Sequence, residues 1–490
     1  MSTTFRDQVI LVLASLLLLA GVITVLDRPD GNPVSVPVVD EEPTSPDDPS
    51  ATPADPDTAT PDAGASPSPG ASAGPTDGPS EPGGPPPTTP TVGPSAPPTD
   101  NPGTPPPDAD LYVGADNTRG ITDDLIRMCG HAALTLAAAF DTSEADLSVY
   151  WEQLSDNGGI HGRDVELTWE DDAYSADQAV TAATACADKD PFLILGGIGF
   201  DQIPGARNWA EQNKELYLHH IAVRPENPTY SFSLQPTVQQ SGKAFGEYLA
   251  STYRNESIGI IYRNSPNWDP GRQAGVTVLE QHGIQPTQAA VQANQGAYGV
   301  AINQVRNSDV VWVWENALNA ANIIIQAESQ GVRPRWVVFP FQTTLDLLDD
   351  ANLNPTIDGV ATWPSYAPGG YGNDWSQFGL SAEIARFEAA YAQYRPNTTT
   401  NDILFQVWVG NKVLHELLLR CGADCTRNRF AGLLEAGLQL RINPACAIDT
   451  TGPSSLNGRL GGHEFVVQRT FGTGNNYSWE SIRWCSRSLL

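Results

Sequence analysis

The sequence predicts an α/β fold in which helices cover a parallel β-sheet. Residues 154–172 have the pattern of a helix that ends at the double glycine 158–159, a tight turn and then a strand. Glycine supplies the left-handed backbone angles that a helix end and a turn require. Apolar and polar residues alternate over 165–169, which is the period of a strand with one buried face. A helical pattern at 175–188 and an apolar run at 192–195 follow, and this alternation is typical of a parallel sheet between helices.

The same alternation extends over the rest of the folded region. Short apolar runs predict buried strands, and apolar residues spaced three and four apart predict helices. The other predicted elements are, in chain order, a strand at 125–134, a helix at 142–157, a strand at 217–221, a helix at 238–253, a strand at 257–262, a helix at 273–282, a strand at 309–314, a helix at 317–330, a strand at 336–339, helices at 403–419 and 429–438, and a β-hairpin formed by 464–470 and 481–484.

Composition divides the 490-residue chain into a linker and a folded region. Residues 27–118 are rich in Pro, Thr, Ser, Gly, Ala and Asp. Such a segment cannot bury enough apolar surface to offset its chain entropy, so we expect a disordered linker. The remaining roughly 375 residues correspond to about two domains. The net charge of −30 argues against a nucleic-acid partner, because phosphate binding needs basic surfaces.

Residues 9–26 form an unbroken apolar run. As a helix this run would rise about 27 Å, enough to cross the hydrocarbon core of a membrane. No small-x-small cleavage site follows it, and Val22 stands where a lipoprotein would carry its lipidated cysteine. We therefore expect an uncleaved transmembrane signal-anchor, with residues 1–8 in the cytoplasm and the folded region on the cell-surface side of the membrane. A cleaved signal peptide is the alternative.

Short motifs between residues 119 and 485 follow one another in a characteristic order. None of them is specific alone, but the ordered set resembles the Leu/Ile/Val-binding branch of the type I periplasmic binding proteins, which serve ABC transporters. The motifs are Gly120-Ile-Thr-Asp-Asp124, Asn157-Gly-Gly-Ile-His-Gly162, Glu170-Asp-Asp-Ala-Tyr174, Leu195-Gly-Gly197, Asn227-Pro228, Ile258-Gly-Ile-Ile-Tyr262 and Leu456-Asn-Gly-Arg-Leu460.

This resemblance implies two Rossmann-like lobes that three crossings connect, with a ligand cleft between them. The first lobe would comprise 119–236 and 363–440, and the second 237–362 and 441–485, within a binding domain at 119–490. A cleft at the carboxyl ends of the strands also agrees with the general rule for open α/β sheets.

The six cysteines all lie beyond the linker. An even number in an exported domain favours three disulfides, although six cysteines allow fifteen pairings. A Cys-x3-Cys zinc site is the alternative, but no suitably spaced histidine accompanies it. The favoured pairs are Cys421–Cys425, which are close in sequence, and Cys129–Cys186 and Cys446–Cys485, each of which then stays within one lobe implied by the resemblance.

The residues give no support to catalysis, a cofactor or a metal site. Asp171 and Asp172 precede a helix that starts near Ser175, and carboxylates there favour the positive helix N-terminus. His219 and His220 are adjacent in a predicted strand and would face opposite sides, which argues against a metal pair. No nucleophile elbow, Walker A or dinucleotide motif occurs in a suitable context. We expect a binding protein rather than an enzyme.

The resemblance places candidate ligand-binding residues in the first lobe. Thr135 matches a position at which relatives contact the ligand with a hydroxyl. Phe200 and Asp201 stand where relatives carry a serine that holds the ligand carboxylate. Ala222 and Arg224 replace small and hydroxyl residues of the next loop. Arg224 is a candidate for the lost carboxylate recognition, since a guanidinium pairs with a carboxylate through two hydrogen bonds, and an exposed surface arginine is the alternative.

Five further candidates belong to the second lobe and to a crossing. Trp268 stands where relatives place an aromatic residue over the ligand. Glu315 and Asn316 end a very apolar strand, and Gln342 falls where relatives bind an α-ammonium group with a carboxylate. Glu315 is a candidate to replace that carboxylate, with a solvated loop position as the alternative. Tyr366 falls at a crossing, where an aromatic side chain is as often part of hinge packing.

These departures favour an amide or aromatic solute over an ordinary amino acid, although an amino-acid-like solute stays open. The leading hypothesis is a membrane-tethered extracytoplasmic solute-binding protein that closes over a small molecule and delivers it to an ABC permease. The alternative is a receptor or interaction module of the same fold that signals to a membrane partner.

Overall fold

The structure is a computed structural model that describes residues 109–135, 142–197, 199–219, 228–292, 295–363, 365–366, 380–442, 446–451, 459–462, 464–474 and 477–486. The predicted anchor at 9–26 and nearly all of the predicted linker lie outside these residues. Among the residues that are described, no helix combines the length and apolar character needed to cross a membrane.

The first lobe is built on a five-stranded parallel sheet with the order β2–β1–β3–β4–β5. Helices from two separate parts of the chain accompany it. The strands are β1 (Leu125–Ala132), β2 (Asp164–Asp171), β3 (Ile194–Leu195), β4 (Tyr217–His219) and β5 (Ser231–Ser233), and the helices are α1 (Glu144–Leu147), α2 (Val149–Asp156), α3 (Ala176–Ala187), α4 (Ile203–Asn213), α10 (Leu380–Tyr394), α11 (Asp402–Cys421) and α12 (Arg427–Glu435).

The second lobe is built on a seven-stranded sheet with the order β14–β13–β10–β9–β8–β6–β7. Its first five strands in chain order are parallel, and the last two form an antiparallel hairpin at one edge. The strands are β6 (Ile258–Arg263), β7 (Thr287–Val291), β8 (Val310–Trp314), β9 (Arg335–Val338), β10 (Ile357–Ala361), β13 (Phe465–Phe471) and β14 (Ser478–Ser486), and the helices are α5 (Val238–Thr252), α6 (Asp269–Gln281), α7 (Gly299–Val305), α8 (Ala317–Ser329) and α9 (Gln342–Asp350).

The chain passes between the two sheets three times. The first passage follows β5 and the second follows β10. The third follows a two-stranded sheet formed by β11 (Gln439–Leu440) and β12 (Ile448–Asp449), together with Leu460, which pairs with Ser233 at the end of β5. The predicted two-lobed α/β fold is therefore confirmed, while the predicted residue limits of the lobes stay a prediction.

Backbone angles and steric contacts explain the two glycines of the turn at 158–159. Gly158 and Gly159 adopt positive φ angles of 98° and 65°. A Cβ atom on Gly159 would lie 1.8 Å from the carbonyl oxygen of Arg163, so only glycine fits there. The turn lets Ile160 pair with Arg163 and leads the chain directly into β2.

Three disulfides connect the pairs Cys129–Cys186, Cys421–Cys425 and Cys446–Cys485. These are the pairs that the sequence analysis favoured. The first joins β1 to α3, the second closes the turn after α11, and the third ties the connection before β12 to β14 of the second lobe.

Some predicted elements differ from the structure. The helix expected at 142–157 is two helices that meet at Ser148, and a capping box of Ser143 and Asp146 starts the first one. Helix α4 was missed because it begins Ile203-Pro-Gly205, which resembles a turn in sequence. Proline is tolerated in the first turn of a helix, where its missing N–H would have no partner in any case.

Helices α5 and α6 of the second lobe pack with their backbones in contact. Glycines spaced four apart on each helix face one another there. A Cβ atom on Gly242 would lie 1.8 Å from the carbonyl oxygen of Gly271, and one on Gly246 would lie 2.6 Å from that of Gly275. This close approach sets where α6 begins, directly after Trp268.

Replacing Gly242 with alanine tests this packing. The added methyl group meets backbone, which cannot rotate away, so we expect the free energy of unfolding to fall by about 1–3 kcal/mol. Chemical denaturation of the variant measures the change. Gly296→Ala is the matched control, since a Cβ there meets no described atom within 4 Å. Equal stabilities of the two variants would contradict the close packing.

Candidate functional site

The loops at the carboxyl ends of the parallel strands of both lobes meet. The loop after β3 carries Phe200 and Asp201, and both side chains reach residues of the second lobe. On the opposite side, the loop after β6 carries Ser265, Asn267 and Trp268. The predicted residues Phe200, Asp201 and Trp268 are therefore together in space.

The carboxylate of Asp201 lies in a socket of donors from the second lobe. Arg263 Nη1 donates to Asp201 Oδ2 over 2.8 Å, and Trp268 Nε1 donates to the same oxygen over 3.3 Å. Ser265 Oγ and Asn267 Nδ2 donate to Asp201 Oδ1 over 3.2 and 3.3 Å. A first-lobe anion is thus held by four second-lobe side chains, which we call the Asp201 socket (Arg263, Ser265, Asn267 and Trp268).

Arg263 is itself held by Glu315. Its Nε and Nη2 atoms lie 3.1 and 3.0 Å from Glu315 Oε2, and both side chains are buried. Burial alone would lower the pKa of Arg263, but the Glu315 carboxylate and its hydrogen bonds hold that pKa above its usual value. Glu315 also accepts hydrogen bonds from the Asn316 backbone and from Asn319 Nδ2. Glu315 is therefore a buried, paired residue and not the solvated loop carboxylate considered as an alternative.

An aromatic cluster surrounds the ion pairs. Phe200 of the first lobe packs edge-on against Trp268, with ring centroids 4.4 Å apart, and lies 6.0 Å from Phe339. Trp314 completes the cluster, and its Nε1 donates to the backbone oxygen of Trp268 over 2.8 Å. The Arg263 guanidinium lies 5.1 Å from the Trp268 ring centre. Phe200 is thus inserted into the second lobe beside the Asp201 socket.

A cavity of about 670 Å³ lies next to Phe200. Residues of both lobes and of the first two passages line it, and most are apolar or aromatic. We call it the hinge cavity. Its lining residues are Phe200, Gln235, Pro236, Ser241, Phe339, Phe341, Val360, Ala361, Thr362, Trp363, Gln406 and Phe465. A mostly apolar lining with a few polar side chains is typical of small-molecule sites.

A second cavity, of about 430 Å³, lies at the carboxyl ends of β1 and β3 in the first lobe. Tyr174 lines it, and burial raises the pKa of this phenol above its ordinary value. His131 precedes the lining residue Ala132 at the end of β1. Its Nδ1 lies 2.7 Å from Asp172 Oδ2, and its Nε2 lies 2.8 Å from the Tyr217 hydroxyl. All three of these side chains are fully buried, so they support the strand ends.

The remaining predicted residues lie apart from the hinge cavity or outside the described residues. Thr135 is exposed and donates its hydroxyl to Asp171, and the Asn316 side chain caps α8. Gln342 begins α9 and donates to Asp346. Tyr366 packs against Phe387 and Phe405 of the first lobe. Ala222 and Arg224 lie outside the described residues.

Several important residues were not identified from the sequence. Arg263 is the most informative of them, because a single charge at the carboxyl end of the apolar strand Ile258-Gly-Ile-Ile-Tyr262 points to a site. Gln235 and Gln406 had no comparable signal, since an isolated glutamine in a loop or on a helix is ordinary. The aromatic residues Phe339 and Phe341 follow a strand that was predicted and could have been included with Gln342.

A second polar contact joins the lobes near the hinge. Asp402, at the start of α11 in the first lobe, is buried and accepts the backbone N–H of Thr343 in α9 over 2.8 Å. It also accepts hydrogen bonds from Ser365 Oγ and the backbone of Tyr366 in the second passage. Burial raises the pKa of Asp402 to about 7, against the lowering effect of these hydrogen bonds, and the nearby Asp346 carboxylate adds to the rise.

Comparisons with known proteins agree with this architecture. A family model described as periplasmic binding protein matches residues 136–453. No curated protein sequence matches the chain.

The chain is similar in fold to several solved structures, and each match covers nearly the full length of the solved chain. A substrate-binding periplasmic protein from Ralstonia solanacearum is 18% identical, with a TM-score of 0.59, and the match covers 73% of this chain and 99% of that one. A fatty acid ABC transporter substrate-binding protein from Thermomonospora curvata is 14% identical, with a TM-score of 0.60 and coverages of 76% and 95%. A leucine binding protein from Thermotoga maritima is 13% identical, with a TM-score of 0.56 and coverages of 74% and 100%.

The Asp201 socket predicts an ordered loss of stability. Asp201→Asn removes one ion pair at a partly exposed position, and we expect a loss of about 1–3 kcal/mol. Arg263→Met leaves Glu315 buried without its partner, and we expect a larger loss of about 3–5 kcal/mol. Urea denaturation measures both, with the exposed Asp123→Asn as the control. A smaller effect for Arg263→Met than for Asp201→Asn would contradict the pairing of Glu315.

Asp402 predicts a pH dependence of stability. The pKa of Asp402 is raised in the folded protein, whereas in the unfolded chain it is about 4. Between these two values the folded state holds a proton that the unfolded state has released. The stabilisation is present below about pH 4 and is lost as the pH rises to about 7. In Asp402→Asn this dependence disappears. The free energy of unfolding of the wild type minus that of Asp402→Asn should therefore decrease from pH 4 to pH 7 in a urea denaturation series. A difference that stays level or increases would contradict the raised pKa of Asp402.

Proposed function

We propose that this chain, which belongs to the periplasmic binding protein family, captures a small solute between its two lobes outside the cytoplasm. The observation that carries the proposal is the hinge cavity, whose walls come from both lobes and from the passages between them. A solute that fills such a cavity contacts both lobes only when they are together. It therefore binds the closed state more tightly and shifts the population toward it.

The Asp201 socket determines how the two lobes are positioned when they close. The first-lobe carboxylate meets four donors of the second lobe, and Phe200 enters the aromatic cluster beside it. These contacts bring Phe200 to the edge of the hinge cavity, where it becomes part of the wall. Opening of the lobes would break the contacts and remove this wall, so capture and release of the solute follow from one movement.

Membrane attachment and delivery to an ABC permease are further parts of the proposal. The apolar run at 9–26 and the Pro-, Thr- and Ser-rich segment at 27–118 support a tethered domain held away from the membrane. Permease delivery is supported by the resemblance to transporter substrate-binding proteins. Recovery of the full chain from the culture medium, with none in the membrane fraction, would contradict the tether.

Solute capture is tested with the full chain. A ligand that binds only the native state raises the melting temperature, so a solute from a panel of amino acids, amides, aromatic acids, sugars and peptides should produce a shift. A panel that leaves the melting temperature unchanged, together with no small molecule released on denaturation of the purified chain, would refute solute binding.

Trp268 tests the position of the site. Trp268→Ala removes an aromatic partner of Phe200 and a donor to Asp201, so the affinity for a solute found in the panel should fall at least about tenfold. Trp209→Ala is the control, because this residue packs beside the Cys129–Cys186 disulfide of the first lobe. Calorimetric titration measures both affinities, and an unchanged value for Trp268→Ala would remove this loop from the site.

A further inference from the structure

The described part of the hinge cavity has an uncharged wall. Its described lining residues include no acidic or basic side chain. In the cleft, the guanidinium of Arg263 is held by Glu315 and Asp201. A carboxylate or ammonium group of a solute would find no free opposite charge among these residues. Desolvation of an unpaired charge against apolar walls strongly disfavours binding.

The hinge cavity also has an unused acceptor. Gln235 is 3% exposed, and its Oε1 atom is buried with no hydrogen-bond donor among the described residues. A buried amide oxygen without a donor is unfavourable, because it has lost its hydrogen bonds to water. Gln235 lines the cavity directly before Pro236, in the first passage between the lobes. Its last side-chain torsion is soft, so the amide can turn toward a bound molecule.

The walls on either side of this amide are aromatic. Phe200 comes from the first lobe and Phe339 from the second, and Phe341 and Trp363 extend the surface. Aromatic walls of this kind pack well against flat rings and branched aliphatic groups, and each such contact adds to the area removed from water. The uncharged lining, the unpaired acceptor of Gln235 and the aromatic walls together favour a solute that is largely apolar, has no net charge and carries a hydrogen-bond donor.

From these features we propose that the hinge cavity binds an uncharged, largely apolar solute with a hydroxyl or amide N–H group, which donates to Gln235 Oε1. The proposal rests on the proposed function, solute capture between the lobes, and narrows it to a chemical class. It separates this chain from binding proteins that recognise the charged ends of an amino acid.

A matched set of compounds tests the charge selectivity. Phenylacetamide, phenylacetate and phenethylammonium share a ring and differ in the charge of the polar end, and 4-methylpentanamide and leucine form an aliphatic pair. Calorimetric titration of the full chain should give at least a tenfold higher affinity for each amide than for its charged counterparts. A preference for a charged compound would overturn the inference while leaving solute capture intact. No binding of any compound in this set or in the wider panel would overturn both.

Variants of Gln235 test the acceptor. Gln235→Leu keeps the size of the side chain but removes the oxygen, so the affinity for phenylacetamide should fall about tenfold. Gln235→Glu places an anion in the cavity and should reverse the selectivity in favour of phenethylammonium. Gln281→Leu, at an exposed position at the end of α6, is the control. The melting temperature without ligand verifies that each variant is folded.

Two results decide this second test. Loss of amide binding in Gln235→Leu, with gain of ammonium binding in Gln235→Glu, supports the acceptor role. Folded variants that both bind phenylacetamide with the wild-type affinity would overturn it.

Discussion

The ion pair between Asp201 and Arg263 is the interaction on which the arrangement of the cleft depends. It joins a first-lobe loop to the end of a second-lobe strand over 2.8 Å. Glu315 supports this contact, because a buried arginine is costly unless a carboxylate pairs with its charge. The pairing also brings Phe200 into the aromatic cluster around Trp268. Thus one charged contact determines where the wall of the hinge cavity lies.

The same contact pairs the charges that lie beside the described part of the hinge cavity. Asp201 was predicted to contact the ligand, and Arg224 and Glu315 were candidates for recognising its charged ends. The structure pairs Asp201 and Glu315 with Arg263 inside the protein, and Arg224 lies outside the described residues. The charges therefore serve the contact between the lobes. In the proposed function, aromatic rings and side-chain amides recognise the solute, which agrees with the departures from the family pattern at these positions.

The architecture was predictable because it depends on local patterns. Alternating residues before Trp169 and the apolar run at 310–314 predicted β2 and β8, which the structure contains. The even cysteine count favoured three disulfides, and the closeness of Cys421 to Cys425 together with the lobes implied by the family resemblance favoured the pairs that the structure contains. The loops after strands could be placed through ordered motifs, and this brought Phe200 and Trp268 together correctly. The side-chain contacts of these residues were harder to predict. The contact of Asp201 with Arg263 joins residues 62 apart in sequence and depends on the relative position of the two lobes.

Hydrogen exchange measured by mass spectrometry tests most directly whether a solute sits between the lobes. The full chain would be compared with and without a bound solute from the panel. Exchange should become slower in peptides from both lobes, around Phe200 and Gln235 and around Trp268 and Phe341, because the solute holds the lobes together. Protection confined to one lobe, with the other unchanged, would contradict capture between them.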